Sequence, residues 1–521
     1  MPNFSLTVKA GNMAFTPTSA SVIYRINQAA VATITLNFAN HKELIASQNN
    51  LMLNEEMKIT LNGKPLFTGR ITRQVCQLPA GSFSIFLEAH HDLQKLKANY
   101  RSELYANQTD AQILKKIMGN HNIKLNSLDG MQLRHEQMVQ VNCSDWRFIR
   151  TRLNACGVLL VSTPDGVKVL APSLPTADIT LAPPTRLLSA TVERRNSQLA
   201  AGIEMSSWNI DQQNMRTPAR AVKVDTGTEN YDANVLKTLN PTFWQQGLSR
   251  ALQDEELRAA ANGHRLMNRL AALSASLEIE GNVVPEPGKG IKIENFGALD
   301  GTAFITGIKH NFAISSDRDK RWTTSIEVGS NLLIGMDSEL VPAAPGLHIG
   351  VVDENPQGPD DYHALKIQLP AFQLGNVTLN ARLGVPFASA ESGFNFYPRK
   401  GDEVVVAFIE DDPRFPVILG AMHNPVNKAP KSALDQGIGM VLKTDTLTQR
   451  LMLHPTEGLL LEEEKGAAKS RLTLKEGAAT LVVSESVTID ANNLDLKANQ
   501  KSTFVGNSGV EIKGSTVQLK Q

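Results

Sequence analysis

One short pattern repeats through the C-terminal stretch of this 521-residue chain. Leu472-Thr473-Leu474-Lys475, Leu481-Val482-Val483-Ser484 and Val487-Thr488-Ile489-Asp490 carry it first. Leu494-Asp495-Leu496-Lys497, Val510-Glu511-Ile512-Lys513 and Val517-Gln518-Leu519-Lys520 come next. Alternation of apolar and polar residues is the period of a strand with one face buried. Gly, Asn, Ser and Lys fill the gaps, as turns require. Units beginning at 487 and 494, and at 510 and 517, lie seven residues apart, which leaves about three residues per corner. So thin a ribbon cannot bury its own apolar face, and short repeats need neighbours to close a core. The economical solution is several identical chains wound about one axis. A rigid β-prism of that kind is a mechanical part, not a catalytic one.

The rest of the chain is long enough for several domains. It is 42% hydrophobic and 20% charged, with 52 basic residues against 52 acidic. That balance gives no support to a global nucleic-acid or membrane-surface role. Cys76, Cys143 and Cys156 form no CxxC pair and read as reduced thiols of a protein made in the cytosol. Met1-Pro2-Asn3-Phe4 lacks the features of a secretory signal. No apolar run approaches the length of a membrane span. Release from the cell would then need another carrier.

Strand patterns dominate residues 1–90, with turn signals at Asn62-Gly63 and Pro79-Ala80-Gly81, and predict a small antiparallel barrel. A helix is expected from Ala106 to about Met118, capped at Thr109 or Asp110. A second is expected over Cys143–Ala155, capped by Ser144, with Trp146, Ile149, Arg150 and Leu153 in register. Thr163-Pro164-Asp165-Gly166 marks a hairpin. Pro241–Leu273 reads as one long helix, and strands return from Leu277 to Val328 as a second barrel-like run. Val341-Pro342-Ala343-Ala344-Pro345-Gly346 is a linker candidate. Beyond it, strands near 347–352, 365–369, 404–409 and 417–419 fit a small closed barrel of the oligonucleotide/oligosaccharide-binding (OB) type.

The most specific block runs from Gly393 to Asn424. Its landmarks are Pro398, Gly401, Asp402, Glu403, Val404, Asp412, Pro413, Pro416, Gly420 and Asn424. Physically it is a turn, a strand, an Asp-Pro turn and another strand. Its phrase P-x-x-G-D-E-V-V-V-x-F…D-P-x-x-P-V-I-x-G…N resembles the valine–glycine repeat (VgrG) spikes and the baseplate spikes of contractile phage tails. The segment around Pro287-Gly288, Gly307 and His310 resembles the end of the second hub barrel of the same family. Together with the prism, the resemblance covers essentially the whole chain. The length is more like the spike of an extracellular contractile injection system, of the antifeeding-prophage or virulence-cassette kind.

The resemblance implies a mainly β fold with helical insertions: two hub β-barrels, an OB-fold barrel and an intertwined trimeric β-helix or prism. The expected divisions are 1–345 for the hub, 346–426 for the small barrel and 427–521 for linker and needle. It implies a homotrimer whose duplicated barrels match a three-fold needle to a six-fold tube. Leu472, Leu474, Leu481, Val483, Val487, Ile489, Leu494, Leu496, Val510, Ile512, Val517 and Leu519 would point into the needle core. Val517, Gln518, Leu519, Lys520 and Gln521 would seat a tip protein of the proline-alanine-alanine-arginine (PAAR) repeat family. Tube and baseplate proteins would meet the hub, and the target membrane would be met transiently. No enzyme activity, cofactor, metal or nucleic-acid partner is expected. Neither position where relatives carry a lysozyme or toxin, between barrel and needle or after the needle, is expected to hold one here.

Competing readings attach to several residues. His90-His91 lacks partners at metal-ligand spacing. Glu410-Asp411-Asp412 and Glu462-Glu463-Glu464-Lys465 read as solvated charges rather than cation sites. Gly288-Lys289-Gly290 lacks the upstream glycine of a phosphate loop. A cell-wall hydrolase or glycan-binding module on the same barrels is the rival class, since paired carboxylates need only spatial proximity. Aromatic residues make up only 5% of the chain, which disfavours a stacking platform. A monomeric receptor-binding tail component is the third reading and predicts no prism.

Overall fold

The computed structural model describes residues 4–78, 83–171, 176–182, 187–194, 200–222, 243–296, 300–316, 319–329, 339–354, 364–394, 396–430 and 438–518. The Pro79-Ala80-Gly81 turn lies outside them. The chain divides into two compact units, Met1–Met422 and His423–Gln521.

Antiparallel hairpins build the first unit. Asn62 and Gly63 both take positive φ, 51° and 75°. This is the turn geometry that Asn-Gly favours between right-twisted strands, and it joins Glu56–Leu61 to Lys64–Gln77. The two strand-rich runs are not separate sheets. Gly301–Ser316 pairs with Asp319–Gly329 on one side and with Ser19–Arg25 on the other. A single 13-stranded sheet therefore links the first ninety residues to the run ending at Gly329. Its core is shared too, with Phe4 packed against Phe312 and Trp322.

Four α-helices stand out among the described residues of this unit: α1 (His41–Gln48), α2 (Asp110–Asn120), α3 (Asp145–Cys156) and α4 (Asp254–Ala272). Thr109 and Gln112 close a capping box on α2, satisfying donors that the first turn leaves free. Ser144 caps α3, and Gly157, at φ +65°, ends it. The inward face of α3 is Trp146, Phe148, Ile149, Arg152 and Leu153, whereas Arg150 is exposed. The expected long helix is shorter than its periodicity implies. Trp244–Leu248 is a strand running parallel to Ile203–Asn209, and helix begins only at Asp254. Asp254, Glu255 and Glu256 fill that first turn, where the helix dipole favours acids.

Five strands, His348–Val352, Ala364–Gln368, Leu379–Leu383, Glu403–Phe408 and Pro416–Ala421, close a barrel. Val352, Ile367, Phe372, Val404, Val406 and Ile418 fill it, and Val139, Val141 and Ala344 extend the same cluster. The linker candidate is accordingly packed: Val341 and Ala344 are buried, and the Ala344 N–H donates to the Asp411 carbonyl.

The second unit contains a five-stranded antiparallel meander: Ile438–Lys443, Leu447–His454, Gly458–Lys465, Ala468–Lys475 and Ala478–Val483. No strand is formed among the described residues 484–518. The strands expected at Val487, Leu494, Val510 and Val517 are thus not formed within one chain among the described residues.

Candidate assembly site

The barrel motif is built for corners and strands. Pro398 is buried. Gly401 sits at φ +88° with open space where a Cβ would stand, so its backbone, not crowding, calls for glycine. Its N–H donates to the Val352 carbonyl. The Asp402 carboxylate accepts the Arg399 N–H at 2.7 Å, and Glu403 opens the strand that buries Val404. Pro413 is buried and Pro416 starts the last strand. Gly420 stands opposite Val405, where the register shifts. In the second unit, Asn424 Oδ1 accepts the Val426 and Asn427 N–H groups in an Asx turn.

Asp412 departs from the expected solvated turn. It is 1% exposed, accepting from Arg414 Nη2 at 2.8 Å and Arg250 Nη1 at 3.0 Å. Arg414 Nη1 also donates to Glu256 Oε1 at 2.7 Å. Arg250 pairs with Glu410 at 2.9 Å, and the Ser249 N–H donates to the same carboxylate. Beyond Glu256, Arg152 grips Asp110 with two hydrogen bonds, at 2.7 and 2.9 Å, and His135 Nε2 meets Asp110 Oδ2 at 2.8 Å. One run of alternating charge thus passes from α2 through α3 and α4 into the barrel. Burial raises the carboxyl pKa values, but the guanidiniums overcome it and hold Asp110, Glu256 and Asp412 below the ordinary range. Glu410 and Asp411 of the acidic triplet remain exposed, and only Asp412 is buried. Nothing local to 410–412 announces Arg250, which arrives from far upstream.

Other singled-out residues have structural roles. His91 Nδ1 accepts the Leu93 N–H at the start of a short helix, and His90 meets Thr72. Among the described residues no cluster of three or more His, Cys, Asp or Glu is placed to hold a metal ion. All three cysteines are free thiols. No helix of the described residues is long and apolar enough to cross a membrane.

The meander of the second unit has two unlike faces. Register places Leu451 opposite Leu461 and Leu461 opposite Leu472, with Leu472 opposite Leu481. Ile438, Met440, Leu442, Leu453, Leu459, Leu474 and Val483 share that face. Nearly all of them are exposed. The other face carries Met452 and Leu460, both buried, beside a charge ladder. Its centre is Glu462, 5% exposed, not the solvated charge expected from sequence. Arg450 donates to it, and Lys469 Nζ lies 3.0 Å away. Further on, Val487, Ile489, Leu494, Leu496, Val510, Ile512 and Val517 are exposed, as is Gln518. Leu519, Lys520 and Gln521 lie outside the described residues. The described residues among those expected to form a needle core are therefore exposed or half-buried in a single chain.

Comparison with known proteins adds a family. Residues 13–313 match the model described as the Alg8 N-terminal domain. Residues 348–423 match the type VI secretion system/phage-baseplate injector OB domain. The actin cross-linking toxin VgrG1 of Vibrio cholerae is 26% identical over 165 residues, 30% of this chain but only 14% of that protein. The chain therefore spans a small part of that curated relative's length. Two solved structures share the fold. One is an E. coli component of the type VI secretion system described as similar to T4 bacteriophage tail proteins gp27 and gp5. Its TM-score is 0.53 at 14% identity, covering 80% of this chain and 100% of that one. The other is the Francisella PdpA–VgrG complex in its half-lidded form, with TM-score 0.56 at 12% identity, covering 92% and 87%.

Proposed function

The chain belongs to the Alg8 N-terminal domain family, with a VgrG/gp27–gp5-like spike fold and a baseplate injector OB domain, and we propose that it is a non-enzymatic, trimeric hub and membrane-puncturing spike. In this reading residues 1–345 are the hub, the two halves of its sheet serving as two barrels that match a six-fold tube. Residues 346–426 are the small barrel, and 427–521 are linker and needle. The observation that carries the reading is the exposed apolar ribbon of the second unit. A lone chain leaves it in water, and three chains around an axis would bury it. Burial contributes roughly 1.5–3 kcal/mol per large side chain. The rod would resist bending, and the driving energy would come from a contracting sheath.

A PAAR-type tip protein would cap the last ring of strand edges near Val517–Gln521 by β-addition. Tube and baseplate proteins would contact the hub. The protein would be made in the cytoplasm and leave inside an assembled particle. Deleting 514–521 should abolish capture of a purified PAAR-type protein while leaving a trimer. Retained capture would place the tip elsewhere. The rival hydrolase reading predicts loss of turbidity when purified cell walls are mixed with the protein, and the spike reading predicts none.

A further inference from the structure

We infer that the five-stranded meander, residues 438–483, is the seat on which copies of this chain first meet, and that it sets the register for the residues beyond it. This rests on the trimeric reading and adds an order of assembly to it.

The two parts of the second unit differ in what they can do alone. Every strand of the meander pairs with a neighbour of its own chain through consecutive hairpins, the two outer strands on one side. Residues 484–518 find almost none. Among the described ones, the backbone bonds are Ser484 N–H to Lys469 O and Gly509 N–H to Gly506 O. A segment whose apolar positions recur every few residues is also prone to register slips between chains, since one offset buries much the same side chains as another. The meander has no such ambiguity, because its hairpins fix its shape before any partner arrives.

Its exposed face suits a copy of itself. Around a symmetry axis each residue approaches its own counterparts, so a charged face would bring like charges together. Met440, Leu451, Leu453, Leu461, Leu472 and Leu481 carry no charge and are exposed. The charged positions on that face, Glu463 and Lys465, lie at one end of their strand, and Glu463 accepts from Gln449 at 2.7 Å. The opposite face already buries Met452 and Leu460 and neutralises Glu462 with Arg450 and Lys469. A second copy is the occupant because this mostly uncharged face can meet its own counterparts without like-charge repulsion and runs directly into the exposed apolar repeat that the trimeric reading buries against other copies.

Native mass and backbone hydrogen exchange over 484–518 test this on the full chain. The unaltered protein should be a trimer with slow exchange there. A monomer would refute the trimeric reading itself, before any variant is compared. Leu461→Asp should give a monomer and lose protection throughout 484–518. Ile489→Asp should stay trimeric and lose protection only beyond the meander. Thr480→Asp, on the opposite face of the same sheet, should stay trimeric and protected. The inference is overturned if Leu461→Asp keeps a protected trimer, or if Ile489→Asp dissociates. It is equally overturned if Thr480→Asp dissociates, since the sheet's folding and not its face would then be responsible.

Discussion

A buried carboxylate persists only when fixed counter-charges replace the water it loses. Asp412 has two, Arg250 and Arg414. Asp412→Ala should therefore cost about 3–5 kcal/mol, because both guanidiniums lose a partner in a dry site. Urea unfolding should show a lower midpoint for the first unit, and an unchanged one would contradict the role. His310 predicts a loss of stability on acidification that begins at higher pH than that of the carboxylates. It is fully buried, with Nδ1 2.8 Å from Thr324 Oγ1, and burial lowers its pKa to about 4. The unfolded chain then binds the proton more readily. Stability is full above the unfolded pKa of about 6.5 and falls by about 3 kcal/mol as pH approaches 4. Asp110, Glu256 and Asp412 are held low, so their contribution persists above the unfolded carboxyl pKa of about 4 and is lost only below it. The first acid loss should thus trace to histidine. His310→Asn should reduce but not abolish the fall in melting temperature between pH 6.5 and 4.5, because burial also lowers His91 to about 4, and an unaltered slope would count against this assignment.

At the scale of elements, helix α4 approaches the end of α3 through a glycine contact. A Cβ on Gly263 would stand 2.2 Å from the Asn154 carbonyl oxygen and 3.2 Å from the Gly157 Cα. Gly263→Ala should destabilise by about 1–3 kcal/mol through forced separation, although alanine favours helix by about 1 kcal/mol. A raised melting temperature would show that the helices can part freely. Elements with local signals are legible in the sequence: the capped helices α2 and α3, the Asn62-Gly63 hairpin and four of the five barrel strands. Leu379–Leu383 escapes because it is set among turn residues and only Leu379 and Ala381 of it are buried. Trp244–Leu248 reads as helix because Leu248 and Leu252 fit a helical period, while the deciding partner, Ile203–Asn209, is distant in sequence. The buried role of Arg152 is equally hidden, since its partners Asp110 and Glu256 come from two other helices.

For the whole molecule, alternation reveals where strands lie but not which strands share a sheet. Two runs that look like separate bodies meet along Gly301–Ser316 and Ser19–Arg25. A pairing across nearly three hundred residues leaves no mark in local pattern. The C-terminal repeat is the reverse case. It is plain in sequence, yet one chain leaves its described residues exposed or half-buried; in the proposed trimer the completing partners would be other copies. Three-fold assembly through the second unit is the claim on which hub, needle and tip all depend. Light scattering on the full chain beside a 1–437 truncation tests it most directly. Three copies of the 56.8 kDa chain give a mass of about 170 kDa, and the truncation should loosen or dissociate. A stable full-length monomer, or a truncation that remains as firmly trimeric as the full chain, would contradict the account.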